Sequence, residues 1–130
     1  MKRTLLIILF AVFSVSLTMA EKKEGKIQFK VTSHDFGYIK QEKGNVSYDF
    51  EFENVGNGPL VIVSTKGACG CTIPDFSRKP VMPGEKGKVT ITYLPLEPGA
   101  FNKSMVVKTD NKAVTLRVIG SVIPRGKRTR

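Results

Sequence analysis

Apolar and polar residues alternate with a period of two along most of the chain after residue 26. The clearest stretch runs from Val46 to Glu53, where Val, Tyr, Phe and Phe alternate with Ser, Asp, Glu and Glu. This alternation is typical of a β-strand with one buried and one exposed face. Similar or short apolar segments occur near residues 27–31, 36–39, 60–63, 89–93, 101–107 and 114–118. The pattern predicts about seven strands and no amphipathic helix.

Turn-forming residues separate these segments. Gly, Asn, Asp and Pro cluster at residues 43–45, 56–59, 83–85, 95–99 and 110–111. Short strands at this spacing predict an all-β fold, an immunoglobulin-like antiparallel β-sandwich of about seven strands. Two signals of antibody domains are missing, because the chain has no Trp and its two cysteines are too close in sequence to bridge two sheets.

The first 20 residues differ from the rest. Two basic residues precede an apolar run that closes on small residues at Thr18 and Ala20. This order predicts a cleavable signal peptide over residues 1–20, with cleavage after Ala20, and hence a secreted or periplasmic protein. A membrane anchor is the alternative, but a span needs about 20 apolar residues and this run is shorter. We expect a single domain over 21–124 and a basic C-terminal tail over 125–130.

The chain is basic, with a formal net charge of +10 that becomes +8 when Lys2 and Arg3 are removed with the signal peptide. Most lysines are scattered over polar strand positions, and the basic residues cluster only in the tail after Pro124. The tail is either a solvated terminus or a contact for an anionic surface. We expect no nucleic-acid partner and no membrane insertion after cleavage, because no recognition motif or spanning segment follows residue 20.

Several motifs along the chain resemble the landmarks of ASH/MSP-type domains. They are HDFGYI at His34–Ile39, YDFEFENVG at Tyr48–Gly56, PLVI at Pro59–Ile62, VMPGE at Val81–Glu85 and LRVIG at Leu116–Gly120. With the segment Gly67–Thr72 included, the chain is most similar to the bacterial domain of unknown function 1573, over about residues 27–123. The single landmark residues are His34, Asp35, Phe36, Gly37, Asn54, Gly56, Pro83, Gly84 and Gly120.

The resemblance implies an immunoglobulin-like sandwich, usually exported in bacteria, without an established biochemical activity. Related ASH/MSP modules bind or scaffold other proteins, so the resemblance favours binding over catalysis by analogy. It also implies a Cys-Gly-Cys triplet that marks the bacterial family.

The only cysteines, Cys69 and Cys71, are separated by Gly70. Two residues apart on a strand, their Cα atoms would be about 6.6 Å apart, near the upper limit of about 6.8 Å for a disulfide. Three interpretations stay open: a local disulfide that shapes the connection between two strands, a thiol pair for redox exchange, and a soft-metal site. In the predicted fold this segment lies at the same end of the sandwich as the turn near residues 41–45.

A metal site would need further ligands. Two thiolates can hold Cu(I), whereas structural zinc takes four nitrogen or sulfur donors. His34, Met82 and Met105 are weak candidates, because a lone His beside an Asp is usually a structural residue and a Met is usually core. We therefore expect no cofactor, with Cu(I) as the alternative.

Catalysis is not indicated. The single His limits the chain to one imidazole base, and no Ser or Cys lies in a nucleophile motif. Asp49, Glu51 and Glu53 share one strand face, which is typical of an exposed polar face. We expect a protein-interaction or structural module, not an enzyme, that binds a protein partner through a sheet edge or through the loops around Cys69 to Pro74.

Overall fold

A computed structural model describes residues 21–67 and 70–126 as two packed four-stranded sheets. The first sheet has the order β1 (Ile27–Phe29), β3 (Val46–Asn54), β6 (Lys86–Tyr93) and β5 (Thr72–Phe76). The second has the order β2 (Ser33–Lys40), β8 (Ala113–Ile123), β7 (Gly99–Thr109) and β4 (Ile62–Gly67). The predicted immunoglobulin-like sandwich is confirmed. The predicted signal peptide and residues 127–130 of the tail lie outside the described residues.

The N-terminal part of the domain differs in detail from the predicted antiparallel arrangement. The apolar segments near residues 27–31 and 36–39 lie in different sheets, because the chain leaves the first sheet after Phe29 and enters the second at Ser33. After this crossing β2 pairs with β8 in parallel, whereas every other strand pair is antiparallel. Alternation specifies a strand but not its sheet, so the crossing was not visible in the pattern.

Strand β5 was not predicted. It pairs with β6 from Thr72↔Tyr93 to Phe76↔Val89 and contains Pro74. A proline within an apolar run argues against a central strand, but it is tolerated at an edge. Since β5 is the edge strand of the first sheet, the structure accommodates this proline.

The core lies between the inner faces of the two sheets, as the alternation predicts. In β3 the fully buried Phe50 alternates with the exposed Asp49 and Glu51. The buried apolar residues come from both sheets: Ile27, Ile39, Phe50, Phe52, Leu60, Ile62, Val89, Ile91, Tyr93, Phe101, Met105, Val107, Leu116, Val118 and Val122. A core of this kind holds the two sheets in a fixed arrangement, which also fixes their edges.

The two ends of the sandwich are formed by different connections. At the cysteine end, which contains Cys71, the Leu94 amide donates to the Cys71 carbonyl at 2.8 Å. The 3₁₀ turn Gln41–Lys43 lies at the same end, since the Gln41 side chain donates to the Leu96 carbonyl at 3.0 Å. Cys71 therefore lies at the same end of the sandwich as this turn. Within the described residues, no helix is long and apolar enough to cross a membrane.

Candidate functional site

One half of strand β3 has a neighbour on only one side. Strand β1 pairs with the C-terminal part of β3 and ends at Phe29↔Phe52. One further bond follows, from the Lys30 amide to the Glu51 carbonyl at 3.1 Å. The chain then crosses to the second sheet, so within the described part of the chain residues 46–50 are paired with β6 alone. The first sheet therefore has an open edge along the N-terminal half of β3, which we call the β3 edge.

The backbone groups of the β3 edge have a defined direction. In an antiparallel ladder, alternate residues form their hydrogen bonds to opposite sides of the strand. The Asn54 amide bonds toward β6, at the Glu85 carbonyl, whereas the Glu51 carbonyl bonds toward β1. Ser47 and Asp49 therefore direct their N–H and C=O groups, as Glu51 does, to the side where β1 is missing. Two donors and two acceptors line this edge.

A groove of about 640 Å³ follows the β3 edge. The residues that line it are Lys30, Val31, Ser47, Tyr48, Asp49 and Glu51. Val31 is 45% exposed although it is apolar. The ring of His34 stacks on Tyr48 with centroids 3.7 Å apart and planes at 9°, and it meets Phe36 edge-on at 4.8 Å. His34, predicted as a weak metal candidate, is thus part of an aromatic wall between the sheets beside the groove.

The outward side chains along this groove are paired charges and hydroxyls. Lys30 contacts Glu51 at 2.8 Å, and Lys88 contacts Asp49 at 3.4 Å. The Thr90 hydroxyl also donates to Asp49 at 2.6 Å. These contacts agree with an exposed polar face, and they leave the rim of the groove close to neutral. The Lys30 ammonium, hydrogen-bonded to Glu51, holds the pKa of that carboxyl below its ordinary value.

The hydrogen bond from the Thr90 hydroxyl lowers the pKa of Asp49. The charge of Lys88 lowers it further, to a smaller extent. Because the folded-state pKa is lowered, the resulting stability is present above the ordinary pKa of about 3.9 and is lost as the pH falls through the folded value. We expect the Asp49 carboxyl to titrate below about 3.9 in a ¹³C NMR titration, and Thr90→Val to raise its midpoint. An Asp49 midpoint that does not move in Thr90→Val would contradict this assignment.

The other sheet edges carry features that hinder pairing with a further strand. Strand β5 contains Pro74, which has no N–H. Strand β4 has an irregular register between Ile62 and Ser64 and an exposed Lys66. Strand β2 has an irregularity at Gly37, whose φ is +67°. The β3 edge has none of these features within residues 46–50, because its register to β6 is continuous.

The predicted cysteine site lies at a corner between the sheets. Strand β4 ends at Gly67 in the second sheet, and β5 begins at Thr72 in the first, so four residues connect the two sheets. Cys71 packs against the core. Cys69 lies outside the described residues, so the predicted local pairing stays a prediction. A Cβ atom at Gly70 would meet no described atom within 4 Å. Packing against the described residues therefore does not require a glycine at this position.

Two of the described metal candidates, His34 and Met82, lie away from Cys71. Cys71 is at the side formed by β4 and β5, whereas His34 is on β2 at the opposite side of the sandwich. Met82 lies in the connection before β6, at the end opposite Cys71, and Met105 is buried in the core. In the described part of the chain, no three His, Cys, Asp or Glu residues are close enough to hold a metal.

Asn54, one of the landmark residues, is the centre of a buried hydrogen-bond network at the end opposite Cys71. Its side-chain oxygen accepts from the amides of Lys26 at 3.0 Å and Gly56 at 2.9 Å. Its side-chain nitrogen donates to the carbonyls of Gly58 and Val81, both at 2.8 Å. Asn54 is fully buried, and all four side-chain bonds join different parts of the chain. This residue is structural.

Other landmarks shape turns and close packing. Asp35 accepts from the Gly37 amide at 2.7 Å. Pro83 and Gly84 occupy the centre of a turn closed by the Glu85 amide on the Met82 carbonyl at 2.9 Å, and φ of Gly84 is +82°. Phe36 packs against the core and Gly120 lies under the ring of Phe101. These landmark residues therefore specify the fold. None of them lies in the part of β3 that forms the β3 edge. The only sequence signal for it is the apolar Val31 at the end of the first strand.

The two packed sheets, with the N-terminal segment divided between them, define an immunoglobulin-like β-sandwich domain. A family model described as "Protein of unknown function (DUF1573)" matches residues 27–122. The chain belongs to this family, as the motifs predicted. Among curated proteins, none shows significant similarity to the chain.

Solved structures with the same fold share little sequence. A protein of unknown function from Porphyromonas gingivalis W83 aligns with a TM-score of 0.68 at 16% identity, over 80% of this chain and 50% of that one. The chain thus spans half the length of that protein. The ASH/PapD-like domain 7 of human CEP192 aligns with a TM-score of 0.59 at 16% identity, over 84% of this chain and 93% of that domain. These likenesses concern the fold.

Proposed function

We propose that this protein is an exported, non-catalytic interaction module whose protein partner adds a strand to the β3 edge. The observation that carries the proposal is the open edge itself: residues 46–50 form a regular strand that has no neighbour on one side among residues 21–67 and 70–126. An exposed edge of this kind offers backbone hydrogen bonds for affinity and side-chain positions for specificity. Export rests on the predicted signal peptide over residues 1–20.

The geometry of the edge defines the partner segment. A bound strand of about five residues would use the two donors and two acceptors of Ser47 and Asp49. The partner side chain opposite Tyr48 would point inward, as Tyr48 does, because opposite residues in a sheet share a face. It would cover the exposed part of Val31, so an apolar side chain fits there.

The neighbouring partner residues would point outward, beside Ser47 and Asp49. Since Asp49 and Glu51 lie on that face, Lys, Arg or Thr fits better than Asp or Glu. The preferred segment is therefore extended, with one apolar residue between basic or hydroxyl residues. Each hydrogen bond contributes about 1 kcal/mol, so a short segment would bind weakly and reversibly.

Proline at position 47 tests the proposal. The Ser47 amide points away from β6, so Ser47→Pro removes a docking donor without removing a bond of the β3–β6 ladder. We expect a phage-displayed library of seven-residue peptides to select alternating sequences on the wild-type protein. The selected peptides should bind Ser47→Pro about fivefold more weakly by fluorescence polarisation, which corresponds to the loss of one hydrogen bond of about 1 kcal/mol.

Ser47→Ala is the matched control, because it keeps the amide and removes only the hydroxyl that bonds to Thr92. It should bind the same peptides within about twofold, and circular dichroism should show that both variants are folded. Equal binding by wild type and Ser47→Pro, or selection of no alternating peptide, would refute strand addition at this edge.

A further inference from the structure

Among the described residues, the outer face of the second sheet carries three exposed cations on the neighbouring strands β4, β7 and β8, and a fourth, Lys40, on the edge strand β2. Lys66 on β4, Lys108 on β7 and Arg117 on β8 are all exposed. They share this face because each alternates with inward residues such as Val107 and Leu116. Among the residues that the structure describes, none of the three forms an ion pair. We call them the basic triad.

The strand register places the basic triad within one patch. Lys66 pairs with Val106, which pairs with Thr115, two residues before Arg117. With strands about 4.8 Å apart and residues about 3.4 Å apart, the Cα atoms of the triad are roughly 8 to 14 Å from one another. Long side chains at this spacing can contact successive groups of one extended ligand.

The two outer faces of the sandwich differ in their charges. On the first sheet, Lys30 and Lys88 are neutralised by Glu51 and Asp49. On the second sheet, one carboxylate shares the face, that of Asp35, and it accepts the Gly37 amide. The positive potential is therefore concentrated on the face of the second sheet. A concentrated potential of one sign attracts anionic ligands.

The surface between the cations carries several hydroxyl groups and one large apolar side chain, Val106, which is 36% exposed. The short side chains at its outward positions are Ser33, Ser64, Ser104, Ala113 and Thr115. Protein interfaces are depleted in Ser and Lys at their cores, so this composition does not favour a protein partner. Three cations contribute only about 3 kcal/mol to binding an anionic membrane. Hydroxyl groups beside cations suit a hydrated, anionic chain instead.

We propose that the basic triad binds an acidic polysaccharide, whose carboxylate or sulfate groups pair with the cations while its hydroxyl groups bond to the Ser and Thr residues between them. The site is separate from the β3 edge, which belongs to the first sheet. It therefore stands independently of the proposed strand addition.

The test compares two triple variants with the same change in net charge. Lys66→Gln/Lys108→Gln/Arg117→Gln removes the triad, and Lys23→Gln/Lys79→Gln/Lys86→Gln removes three exposed lysines elsewhere. The probes are polygalacturonate and heparin, measured by isothermal titration in 50 mM salt. We expect the triad variant to lose at least tenfold in affinity for one probe and the control variant less than threefold.

Salt provides a second readout. Three contacts predict that log K falls with log salt with a slope of about −2 to −3 through counter-ion release, and the slope should approach zero in the triad variant. Equal losses in both variants would show that net charge alone acts, and would overturn the proposal. Tighter binding to polyglutamate or to phosphatidylglycerol vesicles than to either polysaccharide would also overturn it. Ser47→Pro should keep polysaccharide binding.

Discussion

Asn54→Ala is expected to lower the free energy of unfolding by about 4 kcal/mol, the largest loss that we expect from a single polar side chain in this domain. The side chain makes four hydrogen bonds between 2.8 and 3.0 Å and is fully buried. Each bond contributes about 1 kcal/mol, and a buried group that loses its partner costs more. For a domain of this size the loss corresponds to roughly 20 °C in Tm.

The partners explain why the effect is large. The Asn54 side chain joins the segment before β1, the turn after β3 and the connection before β6, through the backbones of Lys26, Gly58 and Val81. Alanine leaves the Lys26 amide and the Gly58 carbonyl without these partners, whereas the Val81 carbonyl keeps its bond from the Leu60 amide at 2.9 Å. Asn54→Asp should also destabilise the fold, because its second oxygen would face the carbonyls of Gly58 and Val81.

Urea unfolding followed by fluorescence or circular dichroism gives the measurement, in sulfate buffer if the variant is partly unfolded without it. Asn57→Ala is the matched control. Asn57 is exposed and its side chain accepts one bond, from the Glu24 amide at 2.8 Å, so the loss should stay below about 1 kcal/mol. A difference of less than 1 kcal/mol between the two variants would contradict the role of the network.

Gly56→Ala is expected to cost about 3 kcal/mol or more, through overpacking against the backbone. A Cβ atom at Gly56 would collide with the Glu24 carbonyl oxygen and would lie 2.6 Å from the Lys26 nitrogen. Both neighbours are main-chain atoms, which cannot move aside by changing a rotamer. The segment before β1 would have to shift away from the turn, and the bond from the Gly56 amide to Asn54 would be lost or weakened.

Gly70→Ala serves as the control, because a Cβ atom there would meet no described atom within 4 Å. We expect its free energy of unfolding to stay within about 0.5 kcal/mol of the wild-type value. The same urea titration distinguishes the two. If Gly56→Ala is as stable as Gly70→Ala, then the close approach of the two chain segments does not constrain this turn.

Both predictions concern residues that the sequence analysis identified as family landmarks. The contacts that make these residues important could not be predicted from the sequence. The resemblance marked Asn54 and Gly56 as landmarks, and a turn was predicted there. Their partners are up to 32 residues away in the chain, as for Gly56 and Glu24. Such contacts arise only when the strands pack, so the pattern could predict the turn but not the network.

The candidate interaction site was beyond the sequence for a similar reason. Strand β3 was predicted with its buried and exposed faces, and these are confirmed. Its open edge exists because β1 stops pairing after three residues and the chain crosses to the other sheet. His34 was considered as a metal ligand because it is the single His, whereas packing places it against Tyr48.

The sequence by itself determined the class of fold, the strand faces and most turns of this protein, because alternation and turn chemistry are local properties of the chain. Its motifs also identified the family. Only the tertiary structure decided which strands are neighbours, where an edge stays open, which cations lack a partner and that Met82 lies far from Cys71. These features depend on contacts between residues that are distant in sequence, and a period of two carries no information about which strand will lie beside which.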